Sequence, residues 1–305
     1  MSDISIMKKI IWRLWGGHAK QLLRAIIHLC THWDYLSRRC FGWVARVYFC
    51  GMSHMDPLYD WFNIMKPIDE EVGLVAAGQF RFVYTPQIIS ALSTECNEIL
   101  AEYILSRRLD DYYAILDSEG PYEIEEVALH EGDVVIDAGA NLGVFSVLAA
   151  AKKAKKVYAF EPLELVCEIL KQNISINGYL DKIIIEPLGL SNQTSMVPLY
   201  SDNGIDTASL VFRRDSNISM ISCTTLDDWV EEYDIQQIDF IKADIEGAER
   251  ELLKGAQETL RRFKPRLAIC TYHLPDDPQV LEELIKQAVP EYKIIQKRKK
   301  LFAWV

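Results

Sequence analysis

VVIDAGANLG, residues 134–143, decides the fold. A short apolar run ends in Asp137 and passes at once into Gly139, Asn141 and Gly143. A strand that turns into a helix through glycines is how a doubly wound sheet opens a nucleotide-sized crevice at the carboxyl end of its first strand. Gly139 lets the chain turn with no Cβ facing a ligand, and Gly143 lets the next helix pack closely on the strand. Val144 to Ala151, short and apolar, suits a buried crossover helix.

A second strand, within VYAFEP (157–162), ends in Glu161, about twenty residues beyond the first glycine. A carboxylate there can accept both hydroxyls of an adenosine ribose. Dinucleotide enzymes combine such an acid with a G-x-G-x-x-G loop that cradles a pyrophosphate. Here the spacing is G-x-x-x-G, with Asp137 at its mouth. A carboxylate in that place repels a pyrophosphate and suits a cationic ligand. S-adenosylmethionine, with its sulfonium and α-ammonium, fits this inversion of charge.

The rest of the domain reads as alternating strands and helices. Strands are predicted at 133–137, 156–160, 182–186, 238–244 and 266–271, with helices over about 163–176, 248–262 and 278–288. Gly178 should cap the first of these helices, and Thr225 should cap a short helix beginning LDDW. Tyr292–Gln296 and Leu301–Val305 read as a closing hairpin. Such alternation predicts an α/β, doubly wound, mostly parallel sheet with helices on both faces. Leu188 to Ser191, after the third strand, should lie under the adenine. Residues 192–222 form a polar excursion too long for a plain connector, and with 272–278 they are expected to form a lid. Arg213 and Arg214 could grip a phosphate or carboxylate of the acceptor there.

DFIKADIEGAERELLKGA (239–256) completes a pattern. With DAGANLG, AFEP, the Asn173/Asn177 pair of QNISINGY and TTLDDW (224–229), the chain resembles the FkbM family of S-adenosylmethionine-dependent methyltransferases over about residues 119–296. The resemblance implies a class I methyltransferase, Rossmann-like, with a seven-stranded sheet whose last strand is antiparallel. It implies O-methylation of a sugar, glycan or polyketide-type natural product. It also sets Asp137, Gly139, Asn141, Gly143, Glu161, Pro162 and Leu190 around the cofactor. Tyr122 and Glu123 fall where the family has a tyrosine and an acid ahead of the first strand, at the cofactor or substrate mouth.

Methyl transfer to an alcohol needs alignment of the nucleophile with the methyl group and a base for its proton. Outside the fourth strand the sequence offers Lys242, Asp244, Glu246 and, on the next helix, Glu249. Asp244, with Glu246 beside it, is the candidate catalytic or acceptor-orienting carboxylate. Lys242, in an apolar strand, must find an anion, either Asp244 or Glu161. His273, in TYH at the end of the fifth strand, has the ordinary pKa of a general base. Glu249 is expected on the helix surface or capping the loop. No metal set is assigned, although two carboxylates two residues apart permit a divalent-ion variant. N-methylation of an amine or amide, and a non-catalytic adaptor with a vestigial pocket, stay open as alternatives.

Of the 305 residues, 50% are hydrophobic, enough for a full α/β core and a separate N-terminal part. The division expected is 1–60, a basic amphipathic helical region; 61–118, a helical connecting region; and 119–305, the catalytic domain. Residues 1–50 hold eight Lys/Arg against Asp3 and Asp34, leaving the acidic balance of the −11 chain to the rest. With Trp12, Trp15, Trp33 and Trp43 this region suits either a membrane interface or a cap packed on the catalytic domain or a second copy. No run is long and uncharged enough to span a bilayer, and charges interrupt any signal-peptide core. The seven cysteines are scattered, which argues for a reducing, cytoplasmic setting and against a zinc site. An acidic catalytic part without aromatic-basic interleaving argues against nucleic acid, leaving a small-molecule or glycan acceptor as partner.

Overall fold

The structure, a computed structural model, describes residues 66–69, 74–77, 80–83, 121–201, 208–209 and 217–305. The N-terminal region 1–60 expected to be helical, most of the connecting region 61–118 and Arg213-Arg214 lie outside the described residues.

The elements in chain order begin with three short strands, β1 (Lys66–Asp69), β2 (Leu74–Ala77) and β3 (Phe80–Val83). The catalytic part follows with β4 (Val134–Ala138), α1 (Val144–Ala151), β5 (Lys156–Phe160), α2 (Glu164–Ile176) and β6 (Ile183–Glu186). A second group comprises β7 (Gly189–Leu190), β8 (Ser195–Ser201), β9 (Ala208–Ser209), β10 (Asn217–Thr224) and α3 (Leu226–Glu232). The chain then forms β11 (Phe240–Ala243), α4 (Glu249–Lys254), α5 (Gln257–Phe263), β12 (Arg266–Cys270), α6 (Asp277–Ala288), β13 (Lys293–Lys297) and β14 (Lys300–Trp304).

Seven strands make the main sheet, in the order β13-β14-β12-β11-β4-β5-β6. From β6 to β12 all neighbours are parallel, and β14 runs antiparallel to both β12 and β13. This is the doubly wound sheet with an antiparallel final strand that the sequence predicts. β4 is buried along its whole length, as a parallel strand covered on both faces must be, and its VVIDA run supplies the apolar side chains for both layers. Val135, Phe145 and Leu170 belong to the core under α1 and α2; Ile136, Trp229, Leu253 and Ile285 belong to the core under α3–α6. From β4 the chain winds outward through β5 and β6, then returns to place β11 on the other side. That reversal of strand order opens a crevice at the carboxyl ends of β4, β5 and β11.

Three local expectations are corrected. The helix expected over 248–262 is two helices, α4 and α5, broken at Gly255-Ala256. A Cβ on Gly255 would stand 2.1 Å from the Ser191 carbonyl, so the break seats the chain after β7. The Asp227 carboxylate accepts from the Glu258 and Thr259 amides at 3.0 and 2.7 Å, giving α5 an N-terminal cap from another element. The polar excursion carries strands: β7-β10-β8-β9 form a four-stranded sheet in which β8 and β10 pair antiparallel from Ser195↔Cys223 to Ser201↔Asn217. Within 61–118, the described residues form the antiparallel strands β1–β3 instead of helix.

β3 explains the Asn173/Asn177 pair. Asn173, fully buried on α2, donates to the Leu142 carbonyl at 2.8 Å and accepts from the Val83 amide at 2.7 Å. Asn177 accepts from the Arg81 amide at 3.0 Å and donates to its carbonyl at 2.6 Å. The two amides thus pair with β3 as another strand would, and Phe80 and Phe82 enter the core beside them. Gly178 (φ 78) ends α2 and the Thr225 side chain accepts from the Asp228 amide at the start of α3, both as the sequence predicts. No helix among the described residues is long and apolar enough to cross a membrane. Replacing Asn173 removes a hydrogen bond from the buried Leu142 carbonyl and one from the half-buried Val83 amide, so Asn173→Ala should lower the unfolding free energy by about 2–4 kcal/mol in denaturant titration.

Candidate functional site

The loop after β4 is shaped by contacts beneath it. Gly139 and Ala140 donate to the Phe160 carbonyl at 3.1 and 2.9 Å, tying the loop to the end of β5. Gly139 (φ 74) lies under the turn after β11, where a Cβ would stand 2.0 Å from the Asp244 carbonyl oxygen. The close approach that demands glycine is therefore to the protein's own backbone. At Gly143 (φ 85) a Cβ would meet Leu170 at 2.3 Å, so the helix packed closely there is α2 and not α1 against its strand.

Asp137 and Lys242 are register partners on β4 and β11, and their charges lie 3.1 Å apart, nearly excluded from solvent. The Ser146 hydroxyl donates to Asp137 at 2.6 Å, and the Lys242 ammonium donates to the Gly139 carbonyl at 2.6 Å. The anion that Lys242 finds is thus Asp137, and not Asp244 or Glu161, because parallel pairing of β11 with β4 sets the two side by side. Asp137 accordingly sits under the loop and does not reach the cavity above it.

That cavity is walled by the loop at Gly139 and Asn141, by Glu161-Pro162-Leu163, by Leu188–Leu190, and by Tyr122, Lys242, Asp244 and Glu246. Leu199 and Ile221 of the β8–β10 ribbon close one side, a contribution hidden in the sequence by the polar residues between them. Glu161 is buried, and each carboxylate oxygen accepts one backbone amide: Asn141 (φ 46) at 3.1 Å and Leu163 at 3.0 Å. Burial pushes its carboxyl up to about 7, against the lowering pull of these amides and of Lys242. Tyr122 donates to Asp244 Oδ2 at 2.5 Å and so belongs to this cavity. Glu123 does not: it is tied to Lys152 at 2.6 Å and to the Leu129 amide at 2.6 Å, holding the strand approach in place.

Asp244 lies where acids and cations meet. Burial alone would raise its pKa; Lys242, His273, the Tyr122 hydrogen bond and Lys300 outweigh this and hold it below the ordinary aspartate value. Tyr272 adds a longer hydrogen bond, 3.2 Å from its hydroxyl to Oδ1. His273 is nearly buried, with Nδ1 3.0 Å from Glu249 and Nε2 3.7 Å from Asp244 and 3.6 Å from Glu246. Burial would lower its pKa, but the three carboxylates raise it to about 9. At neutral pH it is an imidazolium without a free lone pair, which corrects the expectation of a ready general base. Glu249 is fully buried and accepts from the Ile245 amide at 2.9 Å, so it caps the loop and does not face the helix surface. Asp244, Glu249 and His273 bring possible ligand atoms within 4.8 Å of one another. Sequence reading passed over Tyr272 and Lys300: the first is adjacent to His273 in TYH, while the second is concealed in the basic run KRKK.

Around one crevice the protein sets carboxylates that only accept hydrogen bonds, together with the apolar surfaces of Leu188, Leu190, Pro162 and Ile221. This donor set fits a ligand with a vicinal diol, a flat base and a cationic centre, as S-adenosylmethionine has. Gly139→Ala, by forcing a Cβ into the Asp244 carbonyl at a left-handed φ, should cost about 2–4 kcal/mol and shift Asp244. Thermal unfolding and cofactor titration of the variant measure the two effects.

A family model for the methyltransferase FkbM domain matches residues 137–292. Methyltransferase sdnD of Sordaria araneosa is 29% identical over 199 residues, covering 52% of this chain and 76% of that protein. Hexuronic acid methyltransferase AglP of Haloferax volcanii is 24% identical over 212 residues, covering 67% of this chain and 83% of that protein. The solved methyltransferase FkbM of Methylobacillus flagellatus aligns at 21% identity and a TM-score of 0.48, over 73% of this chain and 56% of that one. The family match runs from Asp137 within β4 to Tyr292 just before β13 and takes in the crevice walls other than Tyr122; the chain belongs to the FkbM methyltransferase family.

Proposed function

We propose that the protein uses S-adenosylmethionine to methylate a hydroxyl group of a sugar, glycan or other polyhydroxylated small molecule. The observation that carries this reading is the pair of carboxylates, Glu161 and Asp244, flanking the Gly139–Gly143 loop at the switch point of the sheet. One is placed to take a ribose diol and the other to take an acceptor hydroxyl. AglP, a relative whose name specifies a sugar acid as its substrate, supports the choice of acceptor class.

S-adenosylmethionine, when bound, supplies an electrophilic methyl group on a positively charged sulfur. The chain's own residues then have three tasks. Glu161, with both oxygens already oriented by the Asn141 and Leu163 amides, accepts from the ribose hydroxyls. Asp244, held by Tyr122 on Oδ2, accepts the acceptor hydroxyl on Oδ1, where it displaces the longer bond from Tyr272. A carboxylate with a depressed pKa is a weak base, yet it suffices. The hydroxyl becomes a far stronger acid than any carboxylic acid as its new C–O bond forms, so the proton passes late to Asp244 Oδ1. His273 and Lys300 hold positive charge beside Asp244 and keep it ionised until that moment.

Calorimetric titration with S-adenosylmethionine and S-adenosylhomocysteine tests the cofactor, and transfer of labelled methyl to a panel of oligosaccharides tests the acceptor. No binding of either ligand would overturn the reading. Because the ligand needs ionised Glu161 and the free protein holds that proton up to pH about 7, affinity should be level above pH 8. Below 7 it should fall by about tenfold per pH unit, the limit for one linked proton. Glu161→Gln should bind more weakly than wild type above pH 8 and lose that slope. Asp244→Asn should retain S-adenosylhomocysteine binding and lose about 10²–10⁴ in kcat.

A further inference from the structure

The hairpin β13–β14 carries its tip to the active edge of the sheet. β14 is antiparallel and starts opposite the end of β12, with Lys300 paired to Cys270. Residues 297–300 therefore stand beside the loop that bears Tyr272 and His273, and the Thr271 amide donates to the Lys299 carbonyl at 2.9 Å. The tip reads Lys297-Arg298-Lys299-Lys300, four cations in a chain of net charge −11. Lys300 turns inward, 4.0 Å from the centre of the Tyr122 ring. Lys297 is exposed and Lys299 partly exposed, with the Lys299 ammonium 5.4 Å from the centre of the Tyr272 ring, whose hydroxyl reaches Asp244.

This tip breaks two local rules. Lys297 and Lys300 are directly opposed across the strands, where like charges are unfavourable. Arg298 takes φ 60 in a tight turn that favours glycine or asparagine. Local violations of this kind concentrate at functional sites. Beside Asp244 the cavity wall carries the partly exposed Glu246, so a negatively charged acceptor needs a compensating cation here.

We propose that the β13–β14 tip docks an oxyanion of the acceptor, a carboxylate or a phosphate, so that the acceptor is an acidic sugar or glycan. The proposal rests on the methyltransferase reading above and narrows its substrate class. Only the Tyr272 ring separates Lys299 from Asp244, so a pyranose ring of similar width can set its hydroxyl at Asp244 and its anion at Lys297 and Lys299. The tip and the Tyr272 loop are fixed to each other by the β12–β14 pairing and the Thr271 amide, which makes that spacing rigid.

Titration of the full chain loaded with S-adenosylhomocysteine tests this, using a hexuronate-terminated disaccharide, its neutral hexose counterpart and a hexose phosphate. An anionic probe should bind at least tenfold tighter than the neutral one, with an advantage that shrinks as salt rises. Preference for the hexuronate or for the phosphate identifies which oxyanion is read. The double variant Lys297→Gln/Lys299→Gln should lose most of that preference while S-adenosylhomocysteine affinity stays unchanged, which also shows that the variant is folded. Equal binding of anionic and neutral probes, no binding of either anion, or an unaltered preference in the variant would overturn the proposal. Failure of the wild type to bind S-adenosylhomocysteine would instead remove the methyltransferase reading beneath it.

Discussion

The buried contact between Asp137 and Lys242 is the constraint on which the site depends. Two charges taken out of water are tolerable only when they are paired, and here they stand 3.1 Å apart. Ser146 donates to the carboxylate, and the ammonium spans from that carboxylate to the Gly139 carbonyl. The pair thereby couples β4, β11, α1 and the loop between strand and helix. Removal of either partner would leave the other charge buried and alone, so the geometry of the loop and of the chain after β11 cannot vary independently. Gly139 completes the lock, since only a residue without a side chain allows the two turns to touch.

Above that lock the site is electrostatically layered. Lys242, His273 and Lys300 act on Asp244; Glu249, Asp244 and Glu246 act on His273; and Lys300 stands over the face of Tyr122. Asp244 and His273 both depart from their ordinary proton affinity through their neighbours as well as through burial. An imidazole that would be neutral in water is charged here, and an aspartate that burial would protonate is ionised. The arrangement favours a fixed pattern of alternating charge at neutral pH over a readily titrated base.

Legibility in the sequence followed the range of the interactions. The left-handed turns at Gly139, Gly143 and Gly178 and the cap at Thr225 could be read because they arise from strand, turn and cap chemistry within a few residues, whereas what the two loop glycines lie against, Asp244 and Leu170, could not. The mostly parallel sheet likewise follows from alternation of strands and helices. What escaped came from contacts across the fold. The partner of Lys242 depends on the register of two strands more than a hundred residues apart. The charge on His273 depends on carboxylates from another turn and helix. The break between α4 and α5 depends on Asp227 and Ser191, which no local pattern in ERELLKGAQETLRRF announces. The β8–β10 ribbon was obscured differently: SMVPLYS and ISMISC flank a polar stretch, and the whole of 192–222 read as a polar excursion.

The interior position of β14 bears on how the molecule is assembled. Until residues 300–304 pair with β12, the five parallel strands end in an open edge at β12, a template for association with other chains. Parallel pairing over long sequence separations is also slow, so that edge stays bare for longer than a hairpin would leave it. The segment that seals the edge is the one that brings Lys300 to Tyr122. Protection against misassembly and completion of the charge pattern around Asp244 therefore arrive in a single folding event, and a partly folded chain lacks both.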